Sequence, residues 1–322
     1  MKRISVLSVA AAFLAIVACG TQDAPGAAIE NPSGPIADSG DAPSDPKIPS
    51  DDGSSGQDGQ DPPPSSPSKV TVTNETIQSG DATRSYVLVV PKTYDAARTY
   101  PLVLVLHGDY GDGPGMRASF TLDDYTGEDA IVVYPTGTVD ATGMCTWDAS
   151  LDVNSNYDMT FLSHLVDTLK GQYNINSSRI FGVGYSKGGF MVNFVACAMP
   201  MFRAIAVSEG GMAYNADESP PNCTAGPTAA FIMHDPEDPV VDISSGEWAA
   251  KYWAEQAQCT DVHDQDGNLI LPSTQVNPPQ CSAYNGCDPN FPVELCLIPG
   301  IGHVPWWPDG AEATWAFFQN LQ

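Results

Sequence analysis

Basic residues are scarce in this chain of 322 residues. Lys and Arg number 13 against 39 Asp and Glu, which gives a formal net charge of −26 at pH 7. A surface with that charge repels nucleic-acid phosphates and anionic lipid head groups, so we expect no nucleic-acid partner and favour neutral substrates. Only 5 histidines are present, and no pair of histidines or cysteines has zinc-ligand spacing. The sequence therefore predicts neither a metal nor a cofactor.

Long apolar runs are missing, apart from one at the N-terminus. Two basic residues precede an apolar stretch at 4–18, which at about 15 residues is too short to span a bilayer comfortably. The stretch leads into Ile-Val-Ala-Cys, which resembles a bacterial lipobox. We expect residues 1–18 to be a cleaved lipoprotein signal peptide and Cys19 to carry a lipid anchor at the cell envelope. The alternative is an ordinary signal peptide cut near Ala18, which would leave a secreted protein.

Large apolar side chains are almost absent from residues 20–68, which are rich in Pro, Gly, Ser and Asp. Such a segment cannot bury enough apolar surface to offset the entropy lost on ordering. We therefore predict a disordered tether over residues 19–68. One folded domain is expected over residues 69–322, where no internal repeat and no second core are evident.

The predicted domain alternates strands with helices. Segments 70–76 and 84–90 favour an antiparallel strand pair, and short apolar runs of strand length are typical of strands buried on both faces. The runs are residues 102–106, 131–134, 180–183, 204–207 and 229–233. Helical patterns lie at about 159–172, after residue 186, at 247–257 and at 311–321. This alternation predicts an α/β fold whose mostly parallel sheet is covered by helices on both faces.

Residues 184–188 read Gly-Tyr-Ser-Lys-Gly and match the pattern G-x-S-x-G. The motif directly follows the predicted strand at 180–183 and precedes a helical pattern. That context is the sharp strand-to-helix turn that lifts a nucleophile above the sheet of an α/β-hydrolase fold. Ser186 is therefore the candidate nucleophile, and a plain serine in a glycine-rich turn is the alternative.

A serine hydroxyl needs a base, and the base needs a carboxylate to orient it. His303 follows a glycine-rich approach and the last predicted strand at 293–297, where the chain order Ser, Asp, His places the base. The carboxylate is expected after the strand that ends near residue 233. Asp238 is the preferred candidate, and Asp235 and Asp242 compete with it.

Two backbone N–H groups are candidates for an oxyanion hole. Lys187 directly follows the candidate nucleophile, and Asp109 lies in the loop after the strand at 102–106. His107 stands at the end of that strand. We interpret His107 as a structural brace for the loop rather than as a second base.

Three tryptophans are candidate substrate-binding residues: Trp147, Trp306 and Trp307. They are suited to an aromatic wall against an aromatic acid or a sugar ring, and core packing is the alternative. Residues 264–268 faintly resemble a calcium loop. They lack the later acidic ligand, so we expect a polar turn there.

These segments, taken in order over residues 84–318, resemble a secreted esterase family that includes polyhydroxybutyrate depolymerases, feruloyl esterases and acetylxylan esterases. The resemblance is carried by residues 100–108, 145–148, 157–167, 179–189, Cys197, 234–241, 302–303 and 306–308. It implies a carboxylic-ester hydrolase that acts on an external polymer through an acyl-enzyme, without a metal. Feruloyl or acetyl esters of plant polysaccharide are favoured over polyhydroxyalkanoates. The alternatives are a peptidase on the same fold and an inactive surface binding protein.

Export makes the seven cysteines after Cys19 disulfide candidates, and an odd number leaves one over. The family resemblance implies that Cys197 pairs with Cys223. It also implies that Cys259 pairs with Cys287 or another late cysteine. Cys145 is the candidate for the unpaired thiol.

Overall fold

The computed structural model describes residues 68–148, 155–212, 223–306 and 308–321. The described strands are β1 (Val70–Ser79), β2 (Ala82–Pro91), β3 (Tyr100–Leu106), β4 (Ile131–Pro135), β5 (Thr138–Val139), β6 (Cys145–Thr146), β7 (Ile175–Tyr185), β8 (Ala204–Ser208), β9 (Ala229–His234), β10 (Thr274–Gln275), β11 (Cys281–Ala283) and β12 (Val293–Leu297). The described helices are α1 (Gly113–Ser119), α2 (Leu122–Thr126), α3 (Tyr157–Gln172), α4 (Lys187–Ala198), α5 (Ile243–Gln256) and α6 (Asp309–Asn320). The predicted signal peptide, Cys19, Trp307 and almost all of the predicted tether lie outside the described residues.

Ten of these strands form one sheet, in the order β1-β2-β4-β3-β7-β8-β9-β12-β11-β10. The run from β4 to β12 is parallel throughout. Antiparallel strands flank it on both sides, and the predicted pair β1–β2 is one of them. The carboxyl ends of parallel strands lie at one edge of a sheet, so the loops after β3, β7, β9 and β12 meet there.

Side chains alternate between the two faces of the sheet because the side-chain period of a strand is two. Leu102, Leu104 and Leu106 of β3 belong to one apolar cluster, which also takes side chains of α3, α4 and α5. Val103 and Val105 belong to the opposite cluster, which takes side chains of α1, α2 and α6. The predicted sheet with helices on both faces is therefore confirmed.

Helix α5 begins earlier than the predicted position 247, because Asp242 caps it. The Asp242 carboxylate accepts a hydrogen bond from the Ser244 N–H at 2.9 Å, which satisfies one of the free donors of the first turn. Among the described residues, no helix has both the length and the apolar character needed to cross a bilayer.

The described disulfides join α4 to the segment before β9, the loop after α5 to the loop after β11, and β11 to β12. The described pairs are Cys197–Cys223, Cys259–Cys287 and Cys281–Cys296. The first two confirm the pairings that the family resemblance implied. The prediction that Cys145 is unpaired is wrong, because Cys145 is also disulfide-bonded.

Candidate active site

Ser186 occupies a strained turn between β7 and α4. Its φ angle is 51°, a left-handed value that costs a non-glycine residue about 1–3 kcal/mol unless the surroundings impose it. Here close packing imposes it. A Cβ atom on Gly184 would lie 2.3 Å from the Gly188 carbonyl oxygen, and one on Gly188 would lie 2.5 Å from that of Leu106. The Ser186 N–H also donates to the Ser208 carbonyl at 2.9 Å.

The structure brings Ser186, His303 and Asp238 into one hydrogen-bonded chain. The His303 Nε2 atom lies 2.9 Å from the Ser186 Oγ atom, and its Nδ1 atom lies 2.7 Å from the Asp238 Oδ2 atom. A carboxylate only accepts hydrogen bonds, so Nδ1 carries the ring proton and Nε2 faces the hydroxyl with a lone pair. The Asp238 side chain is fully buried, whereas 14% of the His303 side chain is exposed.

The three acidic candidates of the loop after β9 have different partners. Asp238 alone reaches His303, while Asp242 caps α5. Burial raises the pKa of Asp238. Hydrogen bonds outweigh that effect and lower the pKa overall, the strongest from His303 and others from the N–H groups of Val240 and Val241. Asp238 is therefore held as a carboxylate beside the imidazole.

Asp235 holds the loop that carries His303. Its Oδ2 atom accepts the Gly302 N–H at 2.5 Å, and its Oδ1 atom accepts the Glu237 N–H at 2.9 Å. The pKa of Asp235 is lowered, most strongly by the Glu237 N–H and further by backbone N–H groups of residues 300–302. Asp235 thus acts on His303 through the backbone next to it.

His107 braces the loop after β3, as the sequence predicted. Its Nδ1 atom donates to the Gly108 carbonyl at 2.6 Å, and its Nε2 atom accepts the Gly137 N–H at 2.9 Å. Burial lowers the pKa of His107 to about 4, so the ring is neutral at physiological pH. Trp147 donates from its indole N–H to the His107 carbonyl at 2.8 Å.

The two candidate oxyanion donors flank Ser186. Lys187 is the first residue of α4, where the N–H groups have no partner within the helix. A Cβ atom on Gly108 would lie 3.2 Å from the Ser186 Cβ atom, so the backbone entering Asp109 passes close to the hydroxyl. The side chains of Lys187 and Asp109 form an ion pair with each other. The Lys187 Nζ atom lies 3.4 Å from the Asp109 Oδ1 atom, and both side chains are about one-third exposed.

The tryptophan prediction needs correction. Trp147 and Trp306 are only 1% and 5% exposed, so they fill the core and offer no open wall to a substrate. Trp306 packs closely against Gly310 at the start of α6. Trp307 lies outside the described residues. A tryptophan that is close in sequence to a catalytic motif can either pack in the core or contact the substrate. The pattern of residues did not distinguish these two roles.

Exposed apolar side chains near the site come from residues that sequence reasoning missed. Tyr110, Val240 and Val304 are 61%, 68% and 49% exposed. Tyr110 follows Asp109 directly, Val304 follows His303, and the Val240 N–H donates to Asp238 at 2.7 Å. Their adjacency to the candidate site residues was the available signal.

Two further residues beside the candidate triad were also missed. The Tyr185 hydroxyl donates to the His303 carbonyl at 2.7 Å, and burial raises the pKa of Tyr185 to about 12. Glu209 is fully buried after β8, and burial raises its pKa to about 9. Ligand atoms of Glu209, Asp238 and His303 lie within 4.8 Å of one another. Each already has a protein hydrogen-bond partner, so we assign no metal to them.

Comparisons with known proteins identify the family of the chain. The sequence model of the Esterase family matches residues 80–315. The chain is 28% identical over 222 residues to a bifunctional acetylxylan esterase/xylanase of Neocallimastix patriciarum, covering 67% of this chain but only 30% of that protein. It is 27% identical over 249 residues to a probable feruloyl esterase C of Aspergillus terreus, covering 73% of this chain and 83% of that protein.

Solved structures share the fold. An acetyl xylan esterase from Aspergillus awamori superposes with a TM-score of 0.60 at 19% identity, covering 78% of this chain and 99% of that one. The feruloyl esterase module from Clostridium thermocellum gives 0.56 at 15% identity, covering 80% and 89%. The predicted α/β-hydrolase fold is confirmed by these neighbours and by the order of the sheet.

Proposed function

The chain belongs to the Esterase family and is a carboxylic-ester hydrolase, and from that premise we propose that it works through an acyl-enzyme on Ser186. The observation that carries the proposal is the continuous chain of hydrogen bonds from Ser186 through His303 to Asp238, at 2.9 Å and 2.7 Å. This arrangement is the one expected of a nucleophile, a base and the carboxylate that orients the base.

In the first half of the reaction, the Ser186 Oγ atom attacks the ester carbonyl carbon while His303 Nε2 takes the hydroxyl proton. Asp238 stabilises the imidazolium that forms. The N–H groups of Lys187 and Asp109 receive the negative oxygen of the tetrahedral intermediate. His303 then passes its proton to the departing alkoxide, so an alcohol leaves and an acyl-Ser186 ester remains.

In the second half, water attacks the acyl-Ser186 ester and His303 takes one of its protons. The tetrahedral intermediate collapses, the proton returns to the Ser186 oxygen, and the carboxylic acid leaves. The hydrogen bond from Tyr185 to the His303 carbonyl holds the imidazole near the hydroxyl through both halves.

We propose feruloyl or acetyl esters of plant polysaccharide as the substrate class, ahead of polyhydroxyalkanoates. The names of the relatives support this order. The net charge of −26 favours a neutral ester over an anionic one. Tyr110, Val240 and Val304 replace Trp147 and Trp306 as the proposed apolar contacts, because they are exposed and next to candidate site residues in the chain.

We also propose that the protein is exported and carries a lipid on Cys19. Loss of the protein from the membrane fraction in a Cys19→Ser variant would support this proposal.

The decisive test compares the protein with Ser186→Ala. We expect the variant to keep its thermal unfolding midpoint, to lose labelling by a fluorophosphonate, and to lose at least about 10⁴-fold in kcat on a nitrophenyl ester. Retained turnover in the purified variant would refute the role of Ser186. Assays of the unchanged protein on methyl ferulate, acetylated xylan, polyhydroxybutyrate and a peptide substrate then rank the substrate classes.

A further inference from the structure

Glu209 has no role in the reaction above, yet its backbone and its carboxyl group are both held in a single costly conformation. It follows β8 with a φ angle of 49°, a left-handed conformation that disfavours a side chain, and it is fully buried. The Asp235 N–H donates to both carboxyl oxygens, at 3.1 Å and 3.0 Å. A strained backbone and a buried acid are both costly, so the surroundings fix this carboxyl in one position.

That position is beside Asp238 and His303, since ligand atoms of the three residues lie within 4.8 Å of one another. The His234 Nε2 atom lies 3.6 Å from the Glu209 Oε2 atom and 3.5 Å from the Asp238 Oδ2 atom. The two carboxyl groups therefore face one buried imidazole together. Two adjacent buried carboxylates repel each other strongly, so one of them keeps its proton unless a cation compensates.

His234 does not supply that cation. Its Nε2 atom donates to the Val241 carbonyl at 2.9 Å, and its buried Nδ1 atom has no partner among the described residues. A charged imidazole would need acceptors for both protons, so the arrangement fits a neutral ring with a bare Nδ1 atom. Lys187, which follows Ser186, does not supply the cation either, because its ammonium group pairs with the partly exposed Asp109.

The proton belongs on Glu209 rather than on Asp238. Asp238 receives hydrogen bonds from His303, from Val240 and from Val241, which stabilise its charge. Glu209 receives one N–H, and burial raises its pKa to about 9. A protonated Glu209 has one donor, and a carboxylate oxygen of Asp238 lies within 4.8 Å of a carboxyl oxygen of Glu209.

We propose that Glu209 is a positioning residue that, as a neutral acid, donates a hydrogen bond to Asp238 and extends the Ser186–His303–Asp238 chain by one member. The proposal rests on the roles proposed above for those three residues. Glu209 touches no reacting atom. It keeps Asp238 in the orientation that presents Oδ2 to the His303 Nδ1–H, and it does so without adding a negative charge.

A neutral Glu209 makes the activity sensitive to alkali. The ionisable groups that face it are Asp235 and Asp238 from the loop after β9, His234 at the end of β9, and on neighbouring elements Tyr185 and His303. Near pH 9 the Glu209 proton is lost, and a second negative charge appears against Asp238. We expect kcat to fall there, because repulsion displaces the carboxylate that orients the imidazole.

The test uses Glu209→Gln, Glu209→Ala and Glu294→Gln in the full chain, with kcat and KM measured on a nitrophenyl ester from about pH 6 to about pH 10. Gln keeps a neutral donor for Asp238 and an acceptor for the Asp235 N–H, so this variant should retain neutral activity and lose the alkaline fall. Ala should lower kcat by about 10- to 100-fold with little change in KM. Glu294 is a control carboxyl on β12 whose pKa burial raises to about 7. Glu294→Gln should behave like the unchanged protein above pH 8.

Two results would overturn the proposal. One is a Glu209→Gln variant that folds normally but loses as much kcat as Glu209→Ala. The other is an alkaline fall that persists in Glu209→Gln. A second measurement does not depend on turnover: in the Ser186→Ala background, the infrared band of a protonated carboxyl at neutral pH should disappear on Glu209→Gln. An unchanged band would reject a neutral Glu209 even if the role of Ser186 failed, and active Ser186→Ala would reject only the proposed function.

Discussion

The two halves of the site are built in different ways. Ser186 sits between β7 and α4, and its geometry is imposed by backbone atoms that leave no room for a Cβ on Gly184 or Gly188. His303 and Asp238 lie 65 positions apart on two loops that hydrogen bonds hold together. The nucleophile is therefore fixed by close packing, and the base by individual polar contacts. The first arrangement fails together with the fold, whereas the second can be loosened one bond at a time.

The largest expected effect comes from Asp238→Asn on the loop side. The new amide presents NH₂ to His303, which forces the proton onto Nε2 and removes the base. We expect kcat to fall by about 10⁴-fold with little change in the thermal midpoint, because the amide oxygen still accepts the N–H groups of Val240 and Val241. Asp242→Asn is the control, since Asn caps a helix as well as Asp does. Equal activity of the two variants would contradict the assignment.

Gly188→Ala tests the packed side. Its new Cβ atom would lie 2.4 Å from the His107 carbonyl oxygen, and a backbone atom cannot swing away. We expect the free energy of unfolding in urea to drop by about 1–3 kcal/mol, with activity lost in step with the fold. Gly171→Ala in α3 is the matched control, because nothing lies within 4 Å of its Cβ position. That change should stabilise by roughly 0.5–1 kcal/mol. A stable but inactive Gly188→Ala would show that packing and catalysis separate on this side too.

The smallest effect is expected for Asp235→Asn, which weakens the tie between the β9 loop and Gly302. An amide cannot accept at both of the positions where the carboxylate does, so the His303 loop loosens. We expect kcat to fall roughly 10-fold, less than the roughly 100-fold cost of a 1 Å misplacement. The exposed turn residue Asp264 supplies the control variant, Asp264→Asn, which should leave kcat unchanged.

Asp235 also predicts a pH effect on stability. The pKa of Asp235 is lowered in the folded state, most strongly by the hydrogen bond from the Glu237 N–H. Its contribution to the free energy of unfolding is therefore present above the pKa of the unfolded state and is lost as pH falls through the pKa of the folded state. Glu209 has the opposite sign. Its pKa is raised to about 9, so its contribution declines as pH rises towards that value. We therefore expect the thermal midpoints of Asp235→Asn and Glu209→Gln, measured over pH, to differ from that of the unchanged protein with opposite pH trends.

Local patterns predicted much of the framework. The buried strands, the helix at 157–172 and the turn at Ser186 follow from short runs of residues, because burial and strand-to-helix geometry leave a periodic signature. Chain order then indicated His303 and the loop after β9, which holds the preferred Asp238 and its competitors Asp235 and Asp242. The prediction failed for Trp147 and Trp306 because an aromatic ring packs equally well into a core or a pocket, and sequence does not record which way it faces.

The sequence by itself determined the alternation of strands and helices, the strained serine turn and the order of the three candidate residues. All of these depend on neighbours within a few positions or on a fixed order along the chain. Only the tertiary structure decided which carboxyl meets His303, that Cys145 is disulfide-bonded, that Trp147 and Trp306 are buried, and that Glu209 lies beside Asp238. These depend on contacts between distant loops, and a single buried acid leaves no periodic trace in the residues around it.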